Sequence, residues 1–290
     1  MIHNPHTLRY WLLCLALVGL LAACQPKGEA TDKPQEQSTA TKKSPSLNTD
    51  WWDGLPPKWK TYFIEKHEIT DPPTPEQFDK LRQLDALDLF NETGLDDMTP
   101  LLALTNLRAI WCDGIGKLTD VTPLAQLPEL RELSLGETGI TDVSPLQSAI
   151  KLEKLELFRT EVEDISALRT LRNLRFIDLT ATKVADITPL QDLKSLEVIY
   201  ISKTPVKTLA PISGLTGLTE VSLGDTQVND LSPLSKMTKL SSVAFFNTPI
   251  SSLAPLKGLD NLLMIYYTGS QVSEEEKEAF KITHPDAELF

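Results

Sequence analysis

Cysteine, histidine and positive charge are scarce in this sequence. Its 290 residues hold three cysteines and four histidines, and 40 acidic side chains outnumber 28 basic ones. Cys14 and Cys24 both fall within the first 24 residues, so Cys112 has no disulfide partner in the remainder. His3 and His6 lie in the same leading stretch. His67, His284 and one thiol are too few for a zinc site. The acid excess removes the basic footprint that nucleic-acid phosphates require, and it disfavours adsorption to an anionic membrane surface. No glycine-rich phosphate loop occurs. Serines and aspartates are numerous, but repetition accounts for them, and no nucleophile, base and orienting group stand out by spacing. The sequence therefore points away from an enzyme, with no cofactor and no metal implied.

The apolar runs are short as well. The longest, LLCLALVGLLAA at residues 12–23, has the length of a signal-peptide core and falls short of a bilayer span. It ends in Leu21-Ala22-Ala23-Cys24 behind a leading region with a single basic residue, Arg9. This ending resembles the lipobox of bacterial lipoproteins. The resemblance implies cleavage of residues 1–23, acylation of Cys24 and an anchor in the cell envelope. Gln25 in place of Asp favours the outer membrane or cell surface of a Gram-negative cell. Residues 24–50 contain one apolar side chain larger than alanine or proline, Leu47, too little to offset the entropy of ordering. They read as a flexible tether with an end-to-end distance of roughly 30 Å.

From residue 81 the chain repeats itself. The stretches LRNLRFIDLTATKVADITPLQD from Leu171, LKSLEVIYISKTPVKTLAPISG from Leu193 and LTGLTEVSLGDTQVNDLSPLSK from Leu215 align with a period of 22 residues. Eight units and a ninth strand near Ile265 can be counted, and the first two units carry one extra residue after the strand. Within a unit, Leu133 and Leu135 alternate with Glu132 and Ser134, the period-two signature of a half-buried strand. Leu133, Leu155, Ile177, Ile199, Val221, Val243 and Ile265 form one inward column. Leu135, Leu157, Leu179, Ile201, Leu223, Phe245 and Tyr267 form a second, and Ile140, Val162, Val184, Val206, Val228 and Ile250 a third. One unit cannot bury these side chains, but stacked coils can.

The pattern resembles the internalin-type leucine-rich-repeat family. The resemblance implies an α/β-type solenoid over residues 81–272: a right-handed superhelix with a parallel sheet on its concave face and short 3-10 turns on the convex face. Where that family usually has asparagine, this chain has Thr138, Thr160, Thr182, Thr204, Thr226 and Thr248. A hydroxyl there can bond inward-turned backbone groups locally. In Thr99-Pro100-Leu101, Ser144-Pro145-Leu146 and their counterparts, Ser or Thr is expected to cap a helical turn with proline at its first position. The recurring Asp97, Asp120, Asp142, Asp164 and Asp186 are expected to bond turn backbone rather than calcium.

A solenoid exposes core at both ends, and both ends have cap sequences. Residues 51–80 carry Trp59, Tyr62 and Phe63 on one helical face, then the capping-box start Thr74-Pro75-Glu76-Gln77, with Phe78, Leu81 and Leu84 following. Trp51 and Trp52 are expected to pack on this cap. Residues 273–290 open with Ser273-Glu274-Glu275-Glu276, offer Ala279, Phe280 and Ile282 as apolar cover, and stop at His284-Pro285.

Fold does not give the ligand, so function rests on the side chains that leave the core. Asp85, Arg108, Arg131, Glu153, Arg175 and Glu197 form a mostly sign-alternating outward column, a self-compensated surface ladder. The central outward column differs: Asp88, Trp111, Ser134, Glu156, Asp178, Tyr200, Ser222, Ala244, Tyr266. Glu156 and Asp178 would sit side by side, where like charges destabilise a sheet. Phe158, Phe176 and Phe246 lie in flanking columns, and Arg131, Arg159 and Arg175 are expected at the rim. Aromatic rings among uncompensated acids suit recognition, because aromatic anchors supply most of an interface's energy. The candidate partner-binding residues are therefore Trp111, Glu156, Phe158, Phe176, Asp178, Tyr200, Phe246 and Tyr266, and the expected partner is a protein. The alternative is a structural lipoprotein that joins an envelope assembly or binds cell-wall or surface glycan.

The anchor has a direct test. Intact mass of the native protein is expected to show an acylated chain beginning at Cys24, and Cys24→Ala should accumulate as an unprocessed precursor. An unmodified terminus at any other residue overturns the assignment.

Overall fold

The computed structural model describes residues 45–290. The expected signal segment, Cys24 and the tether through residue 44 lie outside the described residues. Nine three-residue strands run parallel, each paired with the next in chain order: β1 Ala86–Asp88, β2 Ala109–Trp111, β3 Glu132–Ser134, β4 Lys154–Glu156, β5 Phe176–Asp178, β6 Val198–Tyr200, β7 Glu220–Ser222, β8 Ser242–Ala244 and β9 Met264–Tyr266. A two-residue strand, β10 Glu288–Leu289, adds to β9. The sheet is open, and short 3-10 turns such as Ser144–Ser148, Thr188–Leu190 and Ser232–Leu234 connect back to the next strand.

The register is the one the periodicity predicts. Leu133 pairs with Leu155, Ile177 with Ile199 and Val221 with Val243. The middle residue of every strand from β1 to β9 faces the core and is essentially solvent-free. The second and third inward columns are buried too, except Tyr267 at the last coil, which is partly covered. Each strand stops after three residues because the chain turns sharply inward. The turn places Asn91, Glu137, Arg159, Ala181, Lys203, Asp225 and Asn247 in the left-handed region, with Gly114 and Gly269 at the matching places. For a residue such as Ala181 (φ 57°) this conformation costs about 1 kcal/mol or more. The neighbouring coil holds it there: the Ala181 amide donates to Ser202 O at 2.8 Å, and the Glu137 amide to Phe158 O at 2.9 Å.

The threonine column completes the turn. The hydroxyls of Thr138, Thr160, Thr182, Thr204, Thr226 and Thr248 each donate to the carbonyl three residues earlier, at 2.6–2.7 Å. Their bonds stay within one coil, each hydroxyl serving a carbonyl of its own turn.

The helical turns are capped differently from expectation. In most turns the Ser or Thr that precedes the proline does not cap and the Asp two residues earlier does; before Ala210 and Ala254 the hydroxyls of Thr208 and Ser252 stand in the place of that Asp. Thr99 N donates to Asp97 Oδ1 at 2.9 Å, Ser144 N to Asp142 Oδ1 at 2.7 Å and Thr188 N to Asp186 Oδ1 at 2.8 Å. The Ser144 and Ser232 hydroxyls then donate to the second oxygens of Asp142 and Asp230. A carboxylate two residues upstream reaches the turn amide and makes the stronger, charge-assisted bond. These bonds hold Asp120, Asp186 and Asp230 below the usual carboxylate range, the hydroxyl of Thr122, Thr188 or Ser232 being the main cause.

At the N-terminal end, α1 Thr49–Asp53, α2 Pro57–His67 and α3 Pro75–Arg82 bury Trp52, Trp59, Phe63, Phe78 and Leu81 over the first coil. The full capping box at Thr74 and Gln77 is formed. Order begins before residue 51, however: Asn48 caps α1 and Leu47 is buried, so residues 47–50 belong to the cap rather than to the tether. A short helix α4, Thr122–Ala125, replaces a 3-10 turn in the second coil. At the other end α5, Glu274–Thr283, closes the last coil through Phe280, with His284 stacked on it at 4.1 Å. Ala279 and Ile282 face solvent instead, Ile282 at 82% exposure. Only half of the second capping box forms, because the Glu276 carboxylate accepts from Ser252 Oγ and Leu253 N on the preceding coil.

Ile177 is solvent-free in the middle of the array. Ile177→Asp buries an uncompensated charge and should destabilise by about 4 kcal/mol, lowering the melting temperature by about 10 °C. An unchanged melting temperature would show the strand register to be wrong.

Candidate functional site

Three columns of side chains leave the sheet on the side away from the core. The strand pairing places Asp88, Trp111, Ser134, Glu156, Asp178, Tyr200, Ser222, Ala244 and Tyr266 in register along the centre. Strands this short leave the central column flanked closely by longer side chains, so outward does not mean exposed. Trp111 and Glu156 are 4% and 6% exposed. Phe158, Phe176, Asp178, Tyr200, Phe246 and Tyr266 are half-buried. The expectation of an open patch is thus corrected for Trp111 and Glu156, whose polar and aromatic surfaces are already covered by neighbours.

Two of the rings have a packing partner that the column spacing explains. A Cβ added at Gly136 would lie 2.2 Å from the Phe158 ring, and one at Gly224 would lie 2.3 Å from the Phe246 ring. Each phenylalanine therefore lies flat over the glycine 22 residues before it. The glycine amide in turn donates to a side chain of the coil before that: Gly136 N to Asp113 Oδ1 at 2.7 Å, and Gly224 N to Ser202 Oγ at 3.0 Å. Ser134 Oγ donates to the same Asp113 oxygen at 2.5 Å, and Ser222 Oγ bonds Ser202 Oγ at 2.8 Å. The same three-coil arrangement occurs twice, once with a charged acceptor and once with a neutral one.

The electrostatic centre of the face adjoins the first of these arrangements. Asp113, Glu156 and Asp178 share one nearby cation, Lys154, whose Nζ is 3.2 Å from Glu156 Oε2 and lies 5.1 Å from the centre of the Phe176 ring. Burial pushes the Asp113 carboxyl up to about 6, and the Glu156 charge adds to it, against the bonds from Ser134 and Gly136 and the pull of Lys154. Asp178 is also pushed up to about 6, by burial first and then by Glu156, although Thr180 N donates to its Oδ1 at 2.8 Å. Tyr200 meets the Phe176 ring edge-on at 5.3 Å and donates to Glu220 Oε1 at 2.8 Å. Burial raises both the Tyr200 phenol and the Glu220 carboxyl.

The structure therefore brings Glu156, Asp178, Phe176 and Tyr200 into one cluster, with Phe158 one column away. Trp111 stands two strands off, and Phe246 and Tyr266 lie toward the C-terminal end, where Tyr266 stacks on Phe290 at 4.8 Å. The expected arginine rim does not serve the central acids: Arg131 pairs with Glu153, Arg159 with Glu137 and Arg175 with Glu197. Lys154 fills that role and was not singled out by sequence reasoning, nor were Asp113 and Glu220. The signal for Asp113 was present in its column, Phe90, Asp113, Gly136, Phe158, as the one charge. Among the described residues no three His, Cys, Asp or Glu side chains converge to hold a metal ion. Cys112 is buried, which pushes its thiol well up.

No family model matches the sequence, and no curated relative does. Solved structures do match. An internalin of Listeria monocytogenes superimposes with a TM-score of 0.68 at 25% identity, covering 74% of this chain and 63% of that one. An internalin C2 of the same organism gives a TM-score of 0.59 at 24% identity, over 87% of this chain and 100% of the other. A leucine-rich-repeat protein of Leptospira interrogans gives 0.63 at 18% identity, over 74% and 62%. The described chain thus spans somewhat less than two thirds of the length of two of these three.

The raised acids have a measurable consequence for stability. Their folded pKa of about 6 lies above the value of an unfolded aspartate, roughly 3.9. Between these values the folded state binds more protons than the unfolded one, so stability rises as pH falls from about 7 toward 4. Each carboxyl accounts for up to about 3 kcal/mol. Asp178→Asn keeps the acceptor for Thr180 and removes the charge, so it should raise the melting temperature at pH 7.5 and have little effect at pH 4. Equal destabilisation at both pH values would refute the buried-charge account.

Proposed function

We propose that this chain, a leucine-rich-repeat protein of the internalin fold type, recognises a protein partner through the outward face of its sheet while anchored in the cell envelope by acylated Cys24. The fold is one commonly used for protein binding. The observation that carries the finer reading is the group Asp113, Glu156 and Asp178, which share the nearby cation Lys154 on the side of the sheet facing away from the core. Asp113 and Asp178, desolvated in this way, weaken the fold when charged and gain most from a second cation delivered by a partner. The half-buried Phe158, Phe176 and Tyr200 supply apolar area beside them. The surface thus fits a partner that presents a lysine or arginine flanked by apolar side chains. Anchoring rests on the Leu21-Ala22-Ala23-Cys24 motif.

The test is capture from envelope extracts by the full-length lipoprotein in detergent, compared across variants. Glu156→Gln with Asp178→Asn should reduce yield of a stoichiometric partner at least tenfold with melting unchanged or raised. Phe158→Ala with Tyr200→Ala should reduce affinity by about 2 kcal/mol or more. Undiminished capture by both double variants, or retention on purified cell-wall glycan in place of any protein, overturns this reading.

A further inference from the structure

Along the edge where the chain enters its strands, side chains also stack at intervals of 22 residues. One column runs Glu129, Lys151, Asn173, Ser195, Gly217, Lys239, and its neighbour runs Arg131, Glu153, Arg175, Glu197, Thr219, Ser241. Where the first column shrinks to Ser195 and Gly217, the surface sinks between longer side chains. The result is a cavity of about 450 Å³ whose lining includes Asn173, Arg175, Lys194, Ser195, Gly217 and Lys239.

Its charge runs against that of the chain. Glu153 and Glu197 also line it, but each is paired with an arginine: Arg131 with Glu153, and Arg175 Nη2 with Glu197 at 2.7 Å. Lys194 Nζ donates to two neutral acceptors, Gln191 O at 2.9 Å and Gly214 O at 3.3 Å. Lys239 forms no ion pair among the described residues. Two uncompensated ammonium groups therefore border one hollow in a chain of net charge −12. The other groups in the lining are an amide, a hydroxyl and paired carboxylates, which match the donors and acceptors of a polyol. No aromatic ring lines the hollow, so it lacks the stacking surface that a nucleobase would use. Gly217 is small without backbone need: a Cβ there would meet Leu196 O at 3.4 Å, an ordinary contact.

We propose that this hollow binds an acidic saccharide, its carboxylate between Lys194 and Lys239 and its hydroxyls on Asn173, Ser195 and the Glu197 carboxylate. The site adjoins the outward face through the Arg175 and Glu197 pair, and the proposal does not depend on the partner assigned to that face.

The experiment is calorimetric titration of the full-length lipoprotein in detergent with trigalacturonate, beside maltotriose and inorganic sulfate. Saturable binding of trigalacturonate is expected, weakening as salt rises, with maltotriose bound at least tenfold more weakly. Lys239→Gln should weaken it several-fold. Gly217→Asp should abolish it by filling the hollow with a like charge, at an unchanged melting temperature. Absence of saturable binding, equal affinity for maltotriose, or sulfate binding as tight as the saccharide overturns the proposal. So does unchanged affinity in Lys239→Gln, an exposed position where misfolding is not at issue.

Discussion

Everything in this molecule depends on residue n lying beside residue n+22. No coil buries its inward side chains alone, so each must stack on the next in register, and the stacking fixes the interval of the strand pairing, 22 residues from β3 to β9 and 23 across the first two units. The ion pairs of Glu129 with Lys151, Arg131 with Glu153, Glu137 with Arg159, Glu161 with Lys183 and Arg175 with Glu197 obey the interval of 22. The Asn247 amide reaches Asp225 by the same interval, and Phe158 and Phe246 reach their glycines by it. Surface pairs of this kind add about 0–1 kcal/mol each, so they tune a fold whose stability comes from the inward columns.

The same interval explains what could be read in advance. The inward columns, the strand register and the threonine turn were legible because they recur in every coil, and recurrence makes pattern unambiguous. The two ends were less so, because each occurs once. β10 is two residues long, Glu288–Leu289, and exists only because β9 has an unpaired edge to offer; nothing in its own alternation announces it. Glu276 begins like a capping-box residue, yet the preceding coil offers Ser252 Oγ and Leu253 N, and tertiary partners win. Where an Asp stands two residues before the Ser or Thr, the Asp caps the turn, for an equally local reason. Both residue types favour such places, and only geometry decides which oxygen meets the amide.

Burial of the outward side chains was the largest gap between sequence and structure. An alternation of inward and outward residues says which way a side chain leaves the sheet, but not whether its neighbours close over it. Glu156 lies between Ser134 and Asp178 across the strands, with Lys154 beside it on the same strand, and is nearly solvent-free. Trp111 is closed over in the same way. The flat contact of Phe158 on Gly136 was available to sequence reasoning, since glycine at n and phenylalanine at n+22 stand in one column. Reading the rings as exposed anchors conceals that contact.

Against this background the pair Glu156 and Asp178 stands apart. Elsewhere the interval of 22 brings opposite charges, small polar groups or a ring and a glycine together, and local contacts agree with the fold. Here it brings two carboxylates together, with Asp113 near enough for its own acidity to feel Glu156. The C-terminal half shows that the sheet does not need this arrangement. Ser202 performs for Gly224 the backbone task that Asp113 performs for Gly136, and Ser222 stands where a third like charge could have been. Sites where local consistency fails while a neutral solution exists nearby in the same chain are expected to be functional or strained ones. A cation entering beside Lys154 would lower the pKa of both raised aspartates and release their protons. Any partner that binds there is thus linked to pH, binding more weakly as pH falls below about 6.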